Sequence, residues 1–255
     1  YSRGKLIHKY KDRALLLLTN RCPAHCRFCF RKNYIAGNCS EDISDKEIKL
    51  AINYLRKNAA IKELVFSGGD PLSLTNKRLK EIIGKIKKAL PALTLRLHTR
   101  YPVYEPSRLI SFLPLMRHFA VIVFHINHPD EITAKFQKAI NKVRKNAAAL
   151  LLNQSVLLKN VNDKPALLEE LSRKLFASGI LPYYLHYPDK AYGTTHFRIG
   201  IEKASKLFLQ LKSRLPGYLV PKLVMELPGR QGKVDLFMLA HSKSSDMDCG
   251  EKWNC

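Results

Sequence analysis

The fold is decided by one stretch near the start of the chain, Leu15-Leu-Leu-Leu-Thr19-Asn-Arg-Cys22-Pro-Ala-His-Cys26-Arg-Phe-Cys29. A short apolar run is followed at once by three cysteines at C-x3-C-x2-C. The apolar run is a buried strand of the parallel kind, since such strands are covered on both faces. Three thiolates at this spacing suit three corners of a [4Fe–4S] cluster, which proteins hold through cysteine. A fourth iron without a protein ligand is then open to a small molecule. The competing ion is zinc, which needs a fourth ligand from His25, Cys39 or elsewhere and favours C-x2-C or C-x4-C pairs. Three cysteines crowded between Cys22 and Cys29, of six in all, read as a ligand set of a reducing compartment and not as a disulfide framework.

Outward from that stretch, strand and helix signals alternate with a period of roughly thirty residues, as βα repeats do. Apolar strand candidates are Leu15–Thr19, Leu64–Ser67, Thr94–His98, Ala120–His125, Leu151–Leu157 and Pro182–His186. Ser44 and Glu47 form a capping box for a helix running to about Asn58. Further helices are expected over Asn76–Leu90, Pro106–Phe119, Glu131–Asn146, Lys164–Ser178 and Glu202–Leu215. Six consecutive units predict an α/β fold: a partial (β/α)6 barrel, one curved parallel sheet with helices outside. Its chemistry belongs at the C-terminal ends of the strands and in the loops that follow.

The whole chain is consistent with this. Its 255 residues, 46% hydrophobic and 25% charged, suit one globular domain over residues 1–240, followed by a polar tail over 241–255. The longest apolar runs fall far short of the ~20 residues that a membrane helix needs. No secretory signal is visible, and the crowded cysteines point to a reducing compartment, so the cytoplasm is expected. With 44 basic and 21 acidic side chains the net charge is +23. Such a charge attracts anions. The lysines, however, are scattered through helices and form no basic arm, and the aromatic interleaving of a single-strand binder is missing. The reading therefore disfavours nucleic acid as partner.

A second motif, Ser67-Gly68-Gly69-Asp70-Pro71, follows the second strand, where two glycines allow close backbone approach. The cysteine spacing together with this loop resembles the radical S-adenosylmethionine (SAM) enzymes. Further matches narrow the resemblance: Tyr10-Lys-Asp-Arg13, Cys29-Phe-Arg31, His125-Ile-Asn-His-Pro-Asp-Glu-Ile-Thr133, Asn153-Gln-Ser-Val-Leu-Leu-Lys-Asn-Val-Asn-Asp163, Pro182-Tyr-Tyr-Leu-His-Tyr-Pro-Asp189, Gly193-Thr-Thr-His-Phe-Arg198 and Gly217-Tyr-Leu-Val-Pro-Lys222. Together they resemble the lysine 2,3-aminomutase family over nearly the whole chain. His8-Lys-Tyr10, Tyr183-Tyr-Leu-His186, Asp189-Lys190 and Tyr218-Leu-Val-Pro-Lys222 resemble its elongation factor P (EF-P) β-lysylation branch.

The resemblance implies a reaction and a set of roles. L-lysine would be converted to β-lysine, as the R form, using a [4Fe–4S] cluster on Cys22, Cys26 and Cys29, SAM, and pyridoxal 5′-phosphate (PLP). It assigns SAM to Ser67, Gly68, Gly69, Asp70, His125 and Gln154. It assigns PLP to Tyr10, Arg13 and the Schiff-base lysine Lys233, although Arg230-Gln231 stand where the mutases often carry more glycine. Arg31 would hold the substrate carboxylate, as a guanidinium does well. Asp189 and Glu226 would hold its ε-ammonium. His98, Arg100 and Asn153 are candidate interior residues without a role. The implied partners are L-lysine, an electron donor such as flavodoxin or ferredoxin, and an EF-P lysine ligase acting downstream, with homo-oligomerisation possible. The family also has an N-terminal helical region ahead of Tyr-x-x-Arg, which is expected to be missing here. Cys249 and Cys255 do not match the zinc-binding cysteines of the catabolic mutases. Two other readings remain: a catabolic lysine 2,3-aminomutase, separated by product stereochemistry, and a radical SAM RNA-modifying enzyme, which would need no PLP.

Overall fold

The computed structural model describes residues 2–35, 41–227 and 232–236. Cys39, Arg230, Gln231, Cys249, Cys255 and the tail at 241–255 lie outside them.

Ten strands form one sheet in chain order. They are β1 (Ser2–Arg3), β2 (Leu6–Tyr10), β3 (Arg13–Leu17), β4 (Glu63–Ser67), β5 (Thr94–Thr99), β6 (Val121–Phe124), β7 (Leu150–Val156), β8 (Leu181–His186), β9 (Lys222–Glu226) and β10 (Lys233–Asp235). Strands β3 to β9 run parallel, and β1, β2 and β10 run antiparallel at the two edges. The helices are α1 (Lys32–Ile35), α2 (Asp45–Lys57), α3 (Asn76–Ala89), α4 (Tyr101–Tyr104), α5 (Ser107–Met116), α6 (Ala134–Asn146), α7 (Pro165–Ala177) and α8 (Ile201–Arg214).

All six expected strands are present, shifted by a few residues at their ends. Four were not foreseen: the N-terminal pair, β9 and β10. The β1–β2 hairpin turns through Gly4 and Lys5, with Gly4 at φ +58°. A two-residue turn with glycine first is a hairpin signal in its own right. Strand β9 follows α8 and pairs parallel with β8, so the parallel sheet has seven strands where the repeat count predicted six.

The helices start where side chains can satisfy their first amides. Ser44 accepts from the Glu47 amide and Glu47 returns the bond, completing the capping box of α2. Thr75 accepts from the Arg78 amide at the start of α3 and Thr133 from the Phe136 amide at the start of α6, each a one-way cap. The Thr133 cap explains why α6 begins three residues later than Glu131, which sits in a preceding turn. Alternate strand residues, among them Leu64, Phe66, Leu95, Leu97, Ile122 and Phe124, pack beneath the helices in one continuous core. A smaller core joins Leu185 and Leu223 to Leu207, Phe208 and Leu211 of α8. The alternation leaves Ser67, Arg96, His98, His125, Tyr184 and His186 on the concave face.

The sheet curls far enough to bring its edges together. Tyr10 and Lys9 of β2 reach Glu226 of β9, more than two hundred residues away in sequence. The inside of this curl is where the polar side chains collect.

Candidate active site

The cysteine loop leaves β3 and rests on the turn after β4. Gly69 N–H donates to the Thr19 carbonyl at 2.6 Å, and Asp70 N–H to the Arg21 carbonyl at 2.8 Å. This contact explains the two glycines. A Cβ on Gly68, at φ +138°, would lie 2.4 Å from the Thr19 oxygen, and one on Gly69 would lie 2.3 Å from the Arg21 oxygen. The close approach that glycine permits is therefore made, in this structure, by the chain's own cysteine loop.

Asp70 is likewise committed to the scaffold. Its carboxylate is fully buried and accepts from the Leu72, Arg100 and Tyr101 amides and from the Thr99 hydroxyl at 2.7–3.0 Å. Asp70 thus ties the loop after β4 to the loop after β5. Ser67 is buried, and its hydroxyl accepts from Arg31 at 3.0 Å.

Cys22, Cys26 and Cys29 are free and half-buried in the loop. Burial pushes the Cys22 thiol up to about 11 and raises that of Cys26, with Arg100 opposing the second shift. These are soft ligands that would stay protonated until a metal centre compensates their charge, which fits an iron–sulfur cluster. Among the described residues, no three or more His, Cys, Asp or Glu side chains are placed to hold a single metal ion. Arg100, which the sequence left without a role, lies beneath this loop. It is paired with Glu131 at 3.0 Å, bonded to the His125 carbonyl at 2.9 Å, and sits 5.5 Å from the Phe28 ring. Asn153 is also structural, exchanging two hydrogen bonds with the Ile126 backbone.

Deeper in the curl, Gln154 bridges two imidazoles. Its amide nitrogen meets His98 Nδ1 at 3.2 Å and His125 Nε2 on the other side. Burial, reinforced by Arg100, holds His125 down at about 3, and burial with Lys233 holds His186 at about 3. The interior is therefore lined with neutral imidazoles at ordinary pH.

At the seam, Glu226 takes three donors. Lys233 Nζ donates to Oε1 at 2.6 Å, Tyr10 to the same oxygen at 3.2 Å, and Lys9 to Oε2. Burial alone would raise the Glu226 carboxyl, but Lys233 and Lys9 outweigh it and hold it at about 2. Asp189 is pushed the other way, raised by burial and by the charge of Glu226. The Arg13 guanidinium lies 4.1 Å from the Tyr10 ring centre, and Lys233 lies 5.7 Å from the Tyr184 ring. A lysine, an arginine and aromatic faces around one space fit a planar, phosphorylated cofactor. The structure thus collects Tyr10, Arg13, Glu226 and Lys233 at the seam, and His125 with Gln154 in the interior. Arg31 and Ser67 lie toward the cysteine loop. The sequence reading gave no role to Lys9, His98, Tyr184 or His186. Period-two alternation counted from Leu97 and Leu185 would have put the last three on the inner face.

A curled sheet with a three-cysteine loop after its first parallel strand defines the radical SAM class of enzyme. A family model described as a 4Fe–4S single cluster domain matches residues 12–127. A solved radical SAM methyltransferase from Sphaerobacter thermophilus shares the fold, with a TM-score of 0.64 at 15% identity over 86% of this chain and 68% of that one. The chain is 42% identical over 234 residues to an L-lysine 2,3-aminomutase of Buchnera aphidicola, covering 90% of this chain and 68% of the relative. It is 42% identical over 233 residues to that of Haemophilus influenzae, covering 89% and 68%. The chain belongs to the L-lysine 2,3-aminomutase family, which is a family of isomerases. No helix among the described residues is long and apolar enough to cross a membrane.

Proposed function

We propose that this chain converts L-lysine to β-lysine, in the R form, for attachment to elongation factor P. The observation that carries the substrate is the Glu226–Lys233 pair. An alkylammonium already sits on Glu226 at 2.6 Å, and the ε-ammonium of a bound lysine is the same chemical group. When Lys233 is drawn onto a cofactor, Glu226 becomes available to that ammonium, with Asp189 as the second acid.

Cys22, Cys26 and Cys29 would hold the cluster. The Ser67–Asp70 loop, His125 and Gln154 would face SAM, and Tyr10, Arg13 and Lys233 would hold PLP. Bound together, these groups supply a carbon-centred radical and a conjugated ring that stabilises the migrating-nitrogen radical. The residues of the chain position and shield. Arg31, half-buried and bonded to Ser67, orients the carboxylate. The neutral imidazoles leave the interior without competing acids. The curled sheet excludes water and stray C–H bonds from the reacting atoms.

The EF-P role rests on the match of His8–Tyr10, Tyr183–His186, Asp189–Lys190 and Tyr218–Lys222 to that branch. A small acidic electron carrier, flavodoxin or ferredoxin, is the matching reductant for a chain of net charge +23. The test is anaerobic. The chain is reconstituted with iron, sulfide and PLP, then given dithionite, SAM and L-lysine, and the product is resolved by chiral chromatography. (R)-β-lysine supports the reading. The S form moves it to a catabolic mutase, and no β-lysine from a cluster-loaded, PLP-loaded chain removes it.

A further inference from the structure

His98 stands apart from the groups already given roles. It lies on the concave face of β5, half-buried as a residue, with its Nε2 atom shut off from solvent. Its Nδ1 meets the Gln154 amide nitrogen, and its Nε2 is buried with no hydrogen-bond partner among the described residues. An amide nitrogen can only donate. The His98 Nδ1 facing it is therefore the unprotonated nitrogen, and the ring proton is on Nε2. Gln154 fixes the tautomer so that a buried N–H points into the interior without an acceptor. Leaving such a donor unmade is costly, so the site is built for something that brings an acceptor.

The register says which acceptor. Phe66 of β4 pairs with Leu97 of β5, so the next residues, Ser67 and His98, stand side by side on the same face. The Ser67 hydroxyl holds Arg31 Nη1 at 3.0 Å. Arg31 has no ion pair with an acid among the described residues, and its charge acts on His98. The other cations that act on His98 are neutralised, Arg96 by Glu63 at 2.8 Å and Lys233 by Glu226 at 2.6 Å. Among the described residues Arg31 feels the Asp189 carboxylate only from beyond ion-pair distance, and His98 offers a neutral donor beside it. A carboxylate, with lone pairs on two oxygens, satisfies both.

We propose that His98 Nε2–H is a carboxylate-binding donor that works beside Arg31, with Gln154 as the positioning residue that sets its tautomer. This rests on the aminomutase reading for its choice of ligands: the α-carboxylate of the amino-acid substrate, or the methionyl carboxylate of SAM.

The test reads binding to the cluster- and PLP-reconstituted chain by calorimetry. L-lysine is compared with L-lysinamide, and SAM with decarboxylated SAM. In the native chain, the ligand with the carboxylate binds more tightly. In His98→Leu that preference narrows by roughly tenfold or more for one pair, the expected size for a hydrogen bond to a charged group. The affected pair identifies which carboxylate His98 holds. His98→Gln, which keeps an N–H at a similar reach, retains the preference to within about threefold. The inference is overturned if His98→Leu weakens all four ligands equally, since that is a packing effect, or if His98→Gln loses the preference as fully as His98→Leu. A native chain with neither preference overturns it too. β-Lysine formation is scored separately. Its absence removes the aminomutase reading, while a carboxylate preference that depends on His98 still stands on binding alone.

Discussion

At the scale of the residue, the cysteine loop depends on groups that never touch iron. Gly68 and Gly69 let the backbone of residues 19–21 pass within hydrogen-bonding distance. Any side chain there forces the loop off its seat. Gly69→Ala should leave the far-UV circular dichroism intact and lower the iron content after reconstitution severalfold. Retained iron would show that the loop can move without loss. Asp70 answers to the same reasoning. Asp70→Ala strands three amides and a hydroxyl in a dry site, and buried donors left unmade cost about 1–3 kcal/mol each. A loss of roughly 3 kcal/mol or more is expected in denaturant unfolding, and a change under 1 kcal/mol would contradict the clip. The sequence reads the motif around Asp70 as a ligand loop. Its structural duty was not legible there, because the partners Thr99, Arg100 and Tyr101 lie on the next strand's exit and only the fold brings them together.

At the scale of the element, the helices were the more legible part, because their caps are local. Ser44 and Glu47 are three residues apart and cap α2 within one turn. Ser44→Ala should cost about 1 kcal/mol, read as a shift in the urea midpoint. The central strands were legible for a different reason, since each is an apolar run between turn signals. The edge strands were not. Lys9 and Tyr10 of β2 meet Glu226 of β9 through side chains across the seam, and Lys233 of β10 faces Glu226 as its antiparallel partner, so polar residues mark these strands. A polar edge strand reads as a loop or as a binding motif until the curl is known. The seam is itself testable. Glu226→Gln removes two ammonium partners at once, so amide exchange in β2 and β10 should accelerate while β4 to β6 stay protected. Uniform acceleration across the sheet would mean that Glu226 stabilises the whole fold and does not latch its edges.

At the scale of the whole molecule, the interior charges set how the protein answers to acid. His125 and His186 are held down at about 3, and His98 lies well below the ordinary histidine value, all first through burial. Below about pH 6.5 the unfolded chain takes up protons on these rings while the folded chain refuses them. The unfolded state then binds more protons, so stability falls as pH falls, by roughly 1.4 kcal/mol per pH unit for each fully refused proton. Glu226 contributes in a lower window. Its folded value of about 2 lies beneath the usual 4.5, so its stabilisation is complete above about pH 4.5 and is lost as pH drops toward 2. The two windows separate the two devices. His186→Gln should flatten the stability profile between pH 6.5 and 4.5 by about one proton's slope and leave the profile above pH 7 unchanged in shape. Glu226→Gln should leave the upper window alone and flatten only the region below pH 4.5. Urea midpoints measured at half-unit steps from pH 8 to 3.5 resolve both. A His186 variant with the native slope would mean that its imidazole is charged inside the fold. That would contradict the neutral interior on which the carboxylate site at Arg31 and His98 depends.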